Sequence, residues 1–219
     1  MSAMPDLFES LATVESEREK LAPGAVLLRR RALPVAAMLL AAVDSIAAQA
    51  PFRRMVTPGG FEMSVAMTNC GTAGWVTDRR GYRYDRRDPA SDLPWPPMPA
   101  LFHDLATAAA AEAGFPAFRP DACLVNRYEP GARLSLHQDK DEATLEQPVV
   151  SVSLGLPATF QFGGQQRSDK PRRLALSHGD IVVWGGPSRL AYHGVLALAE
   201  GDHPMVGRRR INLTLRKPF

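Results

Sequence analysis

The sequence predicts an α+β domain in which two alanine-rich helices pack outside an antiparallel β sandwich or barrel. Three observations carry this reading. From Asp121 onward, short apolar runs are separated by Gly- and Pro-containing turns such as Pro130-Gly131, Gly163-Gly164, Gly179-Asp180 and Gly185-Gly186. Upstream, Val35–Gln49 and Pro99–Ala113 are rich in Ala, Leu and Met, and Pro34 and Gly114 punctuate them as helix start and stop. Between those helices, Phe61–Cys70 alternates as a strand does, with Met63, Val65 and Met67 on one face.

In chain order, the first 20 residues are polar, with Asp6, Glu9, Glu15, Glu17 and Glu19, and are expected to form a flexible arm. Residues 21–219 are expected to form one domain. Val26-Leu27-Leu28 is a short strand. Residues 71–99 hold Trp75, Tyr82, Tyr84 and Trp95 among Arg79, Arg80, Arg83, Arg86 and Arg87, then a proline cluster. No period persists there, so a long surface loop or short hairpin is expected. The remaining strands are expected at Ala122–Tyr128, Val149–Leu154, Thr159–Phe162, Arg173–Leu176, Asp180–Trp184, Tyr192–Val195 and Arg210–Arg216.

Composition narrows the function classes. A chain of 219 residues with 45% hydrophobic and 22% charged residues is long enough for a sizeable core and is globular in character. A net charge of +3 and an isoelectric point of about 9.1 tilt it towards a polyanionic partner. Two cysteines, Cys70 and Cys123, build neither a disulfide framework nor a CxxC zinc site, and are expected as buried thiols in a reducing cytoplasm. The N-terminus lacks a signal-peptide pattern, and Pro34–Ala48 is too short and too interrupted to span a bilayer, so no membrane association is expected.

The chemistry begins at His137-Gln138-Asp139. In an extended segment, residues i and i+2 face the same way, so an imidazole and a carboxylate can converge on one ion. His193 offers a third ligand. Two histidines and one carboxylate leave three coordination positions open, the arrangement of non-haem Fe(II) oxygenases. Taken alone, such a tripeptide is commonly a surface turn and a lone histidine in an apolar strand is commonly core. The C-terminal strand changes the balance. Arg210, Asn212, Thr214 and Arg216 share one face and Ile211, Leu213 and Leu215 the other, so two guanidiniums flank an amide, which suits a ligand with two carboxylates. Asn126 and Tyr128 make a matching face on the Asp121–Tyr128 strand.

Together, Asn126-Arg127-Tyr128, Leu136-His137-Gln138-Asp139-Lys140-Asp141-Glu142, His193-Gly194-Val195 and Arg210–Arg216 resemble the active-site signature of the AlkB family, in order and in spacing. The resemblance continues upstream through Met63–Gly71 and Trp75 to Tyr82, and covers roughly residues 20–219. It implies a double-stranded β-helix, or jelly roll, at about 121–219, with N-terminal helices and a nucleotide-recognition lid at about 71–99. It implies Fe(II) on His137, Asp139 and His193, and 2-oxoglutarate held by Asn126, Tyr128, Arg210, Asn212 and Arg216. Arg210, Tyr128 and Asn212 are expected at its distal carboxylate, and Arg216 and Asn126 at the end that chelates iron. Leu134 and Trp184 are expected around the cosubstrate.

The implied reaction consumes O2 and 2-oxoglutarate, gives succinate and carbon dioxide, hydroxylates an N-methyl group and releases formaldehyde and the restored base. The implied substrate is DNA carrying 1-methyladenine or 3-methylcytosine, single-stranded or with the base flipped out. Trp75 and His137 are expected to sandwich that base, with Tyr82, Met67, Asp141 and Arg167 as further substrate contacts and Arg79–Arg87 on phosphates. A cytoplasmic monomer with no obligate protein partner is expected. Other readings are the same chemistry on methylated RNA or protein, and a catalytically silent jelly roll that binds nucleic acid or metabolite.

Overall fold

The computed structural model describes residues 17–219. Its elements in chain order are β1 (Arg18–Ala22), β2 (Ala25–Leu28), α1 (Ala36–Gln49), β3 (Arg53–Val56), β4 (Glu62–Gly71), β5 (Gly74–Asp78), β6 (Gly81–Asp85), α2 (Ala100–Glu112) and β7 (Ala122–Tyr128). After them come β8 (Leu134–His137), β9 (Val149–Gly155), β10 (Ala158–Phe162), β11 (Arg172–Leu176), β12 (Ile181–Trp184), β13 (His193–Val195) and β14 (Arg210–Arg216).

Eight strands form one sheet in the order β1-β2-β12-β9-β14-β7-β4-β3, and β11-β10-β13-β8 form a smaller one. Every pairing is antiparallel, and the two sheets enclose a jelly-roll interior. Alternation along the central strands sorts the side chains between two cores. Val150, Val152, Leu213, Leu215, Cys123 and Val125 face outward and are covered by the helices. Leu124, Tyr128, Val182 and Trp184 face the interior with Phe160 and Phe162 of the smaller sheet. α1 buries Ala36, Leu39, Val43 and Ile46, and α2 buries Phe102, Ala106, Ala109 and Ala110. Both sets follow the helical period of three to four, and the small residues of α2 permit close approach to the sheet.

Two sequence expectations need correction. The 1–20 arm lies mostly outside the described residues, but Arg18–Lys20 belong to β1, paired antiparallel with β2. β1 has a largely polar face, so no apolar alternation announced it. Ion pairs hold it instead: Glu19 bonds Arg172 and lies 3.2 Å from Arg29, which also reaches the buried Asp180 at 2.9 Å. The jelly roll is not confined to 121–219 either, because β1–β4 supply half of the larger sheet.

In the 71–99 segment, the hairpin is the alternative that the structure takes. β5 and β6 form a paired hairpin, and the proline-rich stretch after it anchors on Trp95, which is buried. The Trp95 indole N–H donates to the Asp85 carbonyl (2.9 Å), and its ring packs against Gly74, where an added Cβ would lie 2.4 Å from it. Glycine is therefore required where the hairpin leaves the sheet. Both cysteines are buried and unbridged, opposite each other on β4 and β7.

Candidate active site

The metal-ligating set forms where β8 meets β13. These strands pair with His137 opposite His193, and the ring centroids lie 4.4 Å apart. Gly194 makes this possible, since a Cβ there would fall 2.7 Å from the Leu134 carbonyl oxygen of β8. Each imidazole is oriented by its own backbone. His137 Nδ1 sits 2.9 Å from the Ser135 carbonyl and His193 Nδ1 sits 3.0 Å from the Ala191 carbonyl. A carbonyl can only accept, so both Nδ1 atoms carry the proton and both Nε2 lone pairs are left free.

Those lone pairs face Asp139, two residues beyond the end of β8. Asp139 Oδ1 is 3.7 Å from His137 Nε2, and Oδ2 is 3.7 Å from His193 Nε2. Gln138 pins the intervening turn by donating to the Leu190 carbonyl (2.7 Å). Ligand atoms of the three residues all lie within 4.8 Å of one another. Two neutral imidazoles and a carboxylate with no thiolate are a donor set suited to Fe(II).

Burial and neighbouring charge set the protonation states. Burial pushes His193 down to about 4, helped by His137 and opposed by Asp139. Burial works against ionisation of Asp139, but Arg216, His193, His137 and Arg189 outweigh it and hold the carboxyl below the usual carboxylate range. Arg216 binds Asp139 Oδ2 through Nη2 (2.7 Å) and Nε (3.1 Å).

The His193 shift has a measurable consequence for the metal-free protein. Between the ordinary value of 6.5 and about 4, the unfolded chain carries a proton on this residue that the native chain does not. Stability is therefore full above pH 6.5 and falls as pH drops to about 4, by on the order of 3 kcal/mol. Urea unfolding at pH 7 and pH 4.5 should show that loss, and a His193→Gln variant should show a flatter dependence over the same window.

The interior face of β14 lines a cavity of about 800 Å³ that contains the three ligands. Arg210, Asn212, Thr214 and Arg216 all face it, as do Leu124, Asn126 and Tyr128 of β7. Arg210 is only 1% exposed, and its guanidinium lies 5.0 Å above the Tyr128 ring. Its Nη2 donates to Ser153 Oγ (2.9 Å), but Nε and Nη1 are buried with no partner. Burial lowers its pKa, the mark of a cation in want of an anion. A ligand carboxylate at that point would satisfy both groups, so the residues fit 2-oxoglutarate.

Asn126 donates to Asn212 Oδ1 (3.3 Å) and its own Oδ1 is unpartnered. Asn212 is saturated, donating to Ser151 Oγ (2.8 Å) and the Val152 carbonyl (3.0 Å) while accepting from Thr214 (3.0 Å). Leu134 and Trp184 line the cavity too, and the Trp184 ring lies 4.8 Å from His193.

The expected substrate contacts, Met67, Trp75, Tyr82, Asp141 and Arg167, lie around the same cavity. Trp75 and Tyr82 stack across the β5–β6 hairpin at 5.7 Å and 20°. Asp141 accepts from the Trp75 indole N–H (2.7 Å), and Arg167 donates to the Leu136 carbonyl (2.8 Å).

The structure adds two facts about the arginine-rich stretch. Arg83 pairs with Asp78 (2.9 Å), Arg87 with Asp92 (2.9 Å), and Arg86 lies over the Phe219 ring, so these three guanidiniums stabilise the hairpin and the proline-rich stretch after it. Tyr84 points inward: its hydroxyl donates to Glu142 (2.8 Å) and accepts from Arg216 (3.3 Å).

Sequence reasoning assigned no role to Ser151, Ser153, Arg189 or Glu142. The alternation Val-Ser-Val-Ser in β9 was a usable signal for the serines, because hydroxyls on one face of a buried strand need polar company. Arg189 had no such signal, since only the tertiary fold brings it to Asp139.

The sequence profile of the 2OG-Fe(II) oxygenase superfamily matches residues 25–216. The α-ketoglutarate-dependent dioxygenases AlkB of Salmonella typhimurium and Escherichia coli are 59% and 58% identical to this chain over 214 residues, covering 98% of each partner in both alignments. The solved structure of OsALKBH1 superposes with a TM-score of 0.81 at 28% identity, covering 92% of this chain and all of that one. With its His-Asp-His ligand set, this chain belongs to the 2OG-Fe(II) oxygenase superfamily, and within it to the AlkB dioxygenases that depend on iron and 2-oxoglutarate.

Proposed function

We propose that this enzyme removes methyl groups from N-methylated nucleobases in DNA, of the 1-methyladenine and 3-methylcytosine type, acting as a direct-reversal repair enzyme. The observation that carries the proposal is the position of Trp75. Its ring lines the cavity that holds the iron ligands, and its N–H is tied to Asp141, two residues from Asp139. A planar aromatic surface beside the ligand set suits a planar substrate. The cationic methylated bases also suit a cavity edged by Asp141.

Bound iron, with O2 and 2-oxoglutarate, supplies the oxidation that converts the N-methyl group into one lost as formaldehyde. The chain's residues do the rest. His137, Asp139 and His193 hold the metal on one side, and Arg210 and Arg216 take the two carboxylates of the cosubstrate. Trp75 and His137 sandwich the base, Tyr82 adds a further contact, and the β5–β6 hairpin serves as the nucleotide-recognition lid. The exposed Arg79, Arg80 and Arg167 offer charge to phosphates without reading sequence.

A base inside a duplex must be unpaired before it reaches this cavity, which favours single-stranded DNA. No helix among the described residues is long and apolar enough to cross a membrane. We infer a cytoplasmic monomer with no obligate protein partner.

Trp75→Ala should lower kcat/KM on a methylated oligonucleotide by about 10- to 100-fold, as loss of one stacking partner does. Iron-dependent turnover of 2-oxoglutarate without nucleic acid should be unchanged. The decisive experiment is mass spectrometry of oligonucleotides of one sequence carrying 1-methyladenine, as single-stranded DNA, duplex DNA and RNA. Fastest loss of 14 mass units from single-stranded DNA is expected. Faster loss from RNA would replace DNA with RNA in the assignment, and loss from none would remove nucleobases.

A further inference from the structure

Asp139 already has a cationic partner within the chain. Its Oδ2, the oxygen facing His193, accepts both Nη2 and Nε of Arg216. A cation between the imidazoles would compete with Arg216 for the Asp139 charge, and the Arg216 side chain, 7% exposed, would then be a buried cation with a weakened counter-charge.

Glu142 stands ready for that cation. Its side chain is 2% exposed, and Oε1 lies 3.5 Å from Arg216 Nε while accepting from the Tyr84 hydroxyl. Oε2 lies 3.0 Å from Arg189 Nη2, an ion pair without hydrogen-bond geometry. Arg189 is fixed in turn: Nη1 donates to the Asp139 carbonyl (2.6 Å) and Nε to the Gln147 carbonyl (2.8 Å). Two guanidiniums and two carboxylates thus balance inside the protein beside the iron site, and Arg189 clamps the segment that bears both acids.

We propose that Glu142, paired with Arg189, is the standing counter-anion of Arg216, and that it leaves more of the Asp139 charge for the metal. The proposal rests on the reading of His137, Asp139 and His193 as the ligands. It makes Glu142 a positioning residue with a specific signature. Without its charge, Arg216 grips Asp139 more tightly and the surroundings become more positive, so metal affinity falls. Once metal is bound, Arg216 lacks an anion that a 2-oxoglutarate carboxylate can replace, so cosubstrate affinity does not fall with it. A residue with only a structural role would weaken both.

The test is titration of the metal-free full chain with Co(II), followed by its visible absorption, then with 2-oxoglutarate at saturating Co(II). Glu142→Gln is expected to raise the Co(II) Kd at least about tenfold, within the range seen when residues that orient metal ligands are removed. Its Kd for 2-oxoglutarate should equal that of the unsubstituted protein or be lower. Glu142→Asp keeps the charge but withdraws it from Arg216, and should give an intermediate Co(II) Kd. If Glu142→Gln does not fold by circular dichroism, Glu142→Asp decides alone, and a Co(II) Kd equal to that of the unsubstituted protein overturns the proposal. Equal Co(II) affinity in Glu142→Gln, or a parallel loss of metal and cosubstrate affinity, overturns it as well. The unsubstituted protein should bind Co(II) and His137→Ala should not; if neither binds, the ligand reading itself fails and takes this inference with it.

Discussion

Arg210→Met should cut the affinity for 2-oxoglutarate by about 10²- to 10³-fold without destabilising the metal-free protein. The first half follows from charge: truncating one partner of a buried, hydrogen-bonded ion pair costs about 2–5 kcal/mol of binding. The second half follows from the unpartnered Nε and Nη1 atoms. A buried donor with no acceptor destabilises by about 1–3 kcal/mol, and methionine removes two such donors while filling much of the same volume. Only the bond to Ser153 and the contact with the Tyr128 ring are given up. Isothermal titration with 2-oxoglutarate in the presence of Mn(II), alongside thermal melts of the metal-free protein, checks both halves. A clear drop in melting temperature would mean that Arg210 supports the fold rather than waiting for a ligand.

Asp139→Asn should have the opposite stability signature at the other end of the same cavity. Asp139 is the acid that Arg216 holds through two donors, and it lies between two imidazoles. Its replacement by a neutral amide leaves Arg216 and Arg189 facing a single acid, Glu142, and breaking a buried pair from one side costs about 3–5 kcal/mol. Metal binding should vanish with it, because two neutral imidazoles remain, and turnover should fall to background. Urea unfolding of the metal-free variant gives the stability change, and Co(II) titration gives the metal loss. An unchanged unfolding free energy would show that the Asp139–Arg216 pair contributes nothing net to the fold. The two substitutions thus separate a cation prepared for a ligand from one already paired within the chain.

Much of this site was legible because a strand writes its two faces into the sequence with period two. The alternation Arg210-Ile211-Asn212-Leu213-Thr214-Leu215-Arg216 separates the cavity face from the helix-packed face, and the structure places each residue accordingly. Asn126 and Tyr128 followed by the same rule. The helices were legible from composition and punctuation, and no end moved by more than one residue.

The features that escaped reading were set by contacts between distant segments. β8 carries His137 yet is four residues long, too short for a period to register, and it exists because β13 pairs with it across Gly194. Trp95 sits among prolines with no periodicity, and its burial depends on the missing side chain at Gly74. Tyr84 and Tyr82 are two residues apart on one strand and differ in fate. Tyr82 stays half exposed beside Trp75, whereas Tyr84 reaches the buried charge cluster. No local pattern distinguishes them, because the difference comes from the charges that the fold gathers beneath the hairpin.

The measurement that tests the central claim most directly is simultaneous quantification of formaldehyde and succinate. The substrate would be single-stranded DNA containing 3-methylcytosine, with Fe(II), 2-oxoglutarate, ascorbate and O2, and the blank His137→Ala. Formaldehyde with at least as much succinate, both absent from the blank, is the predicted result. Succinate without formaldehyde would contradict the nucleobase assignment while leaving the oxygenase, and the absence of both from the unsubstituted protein would contradict the enzymatic reading altogether.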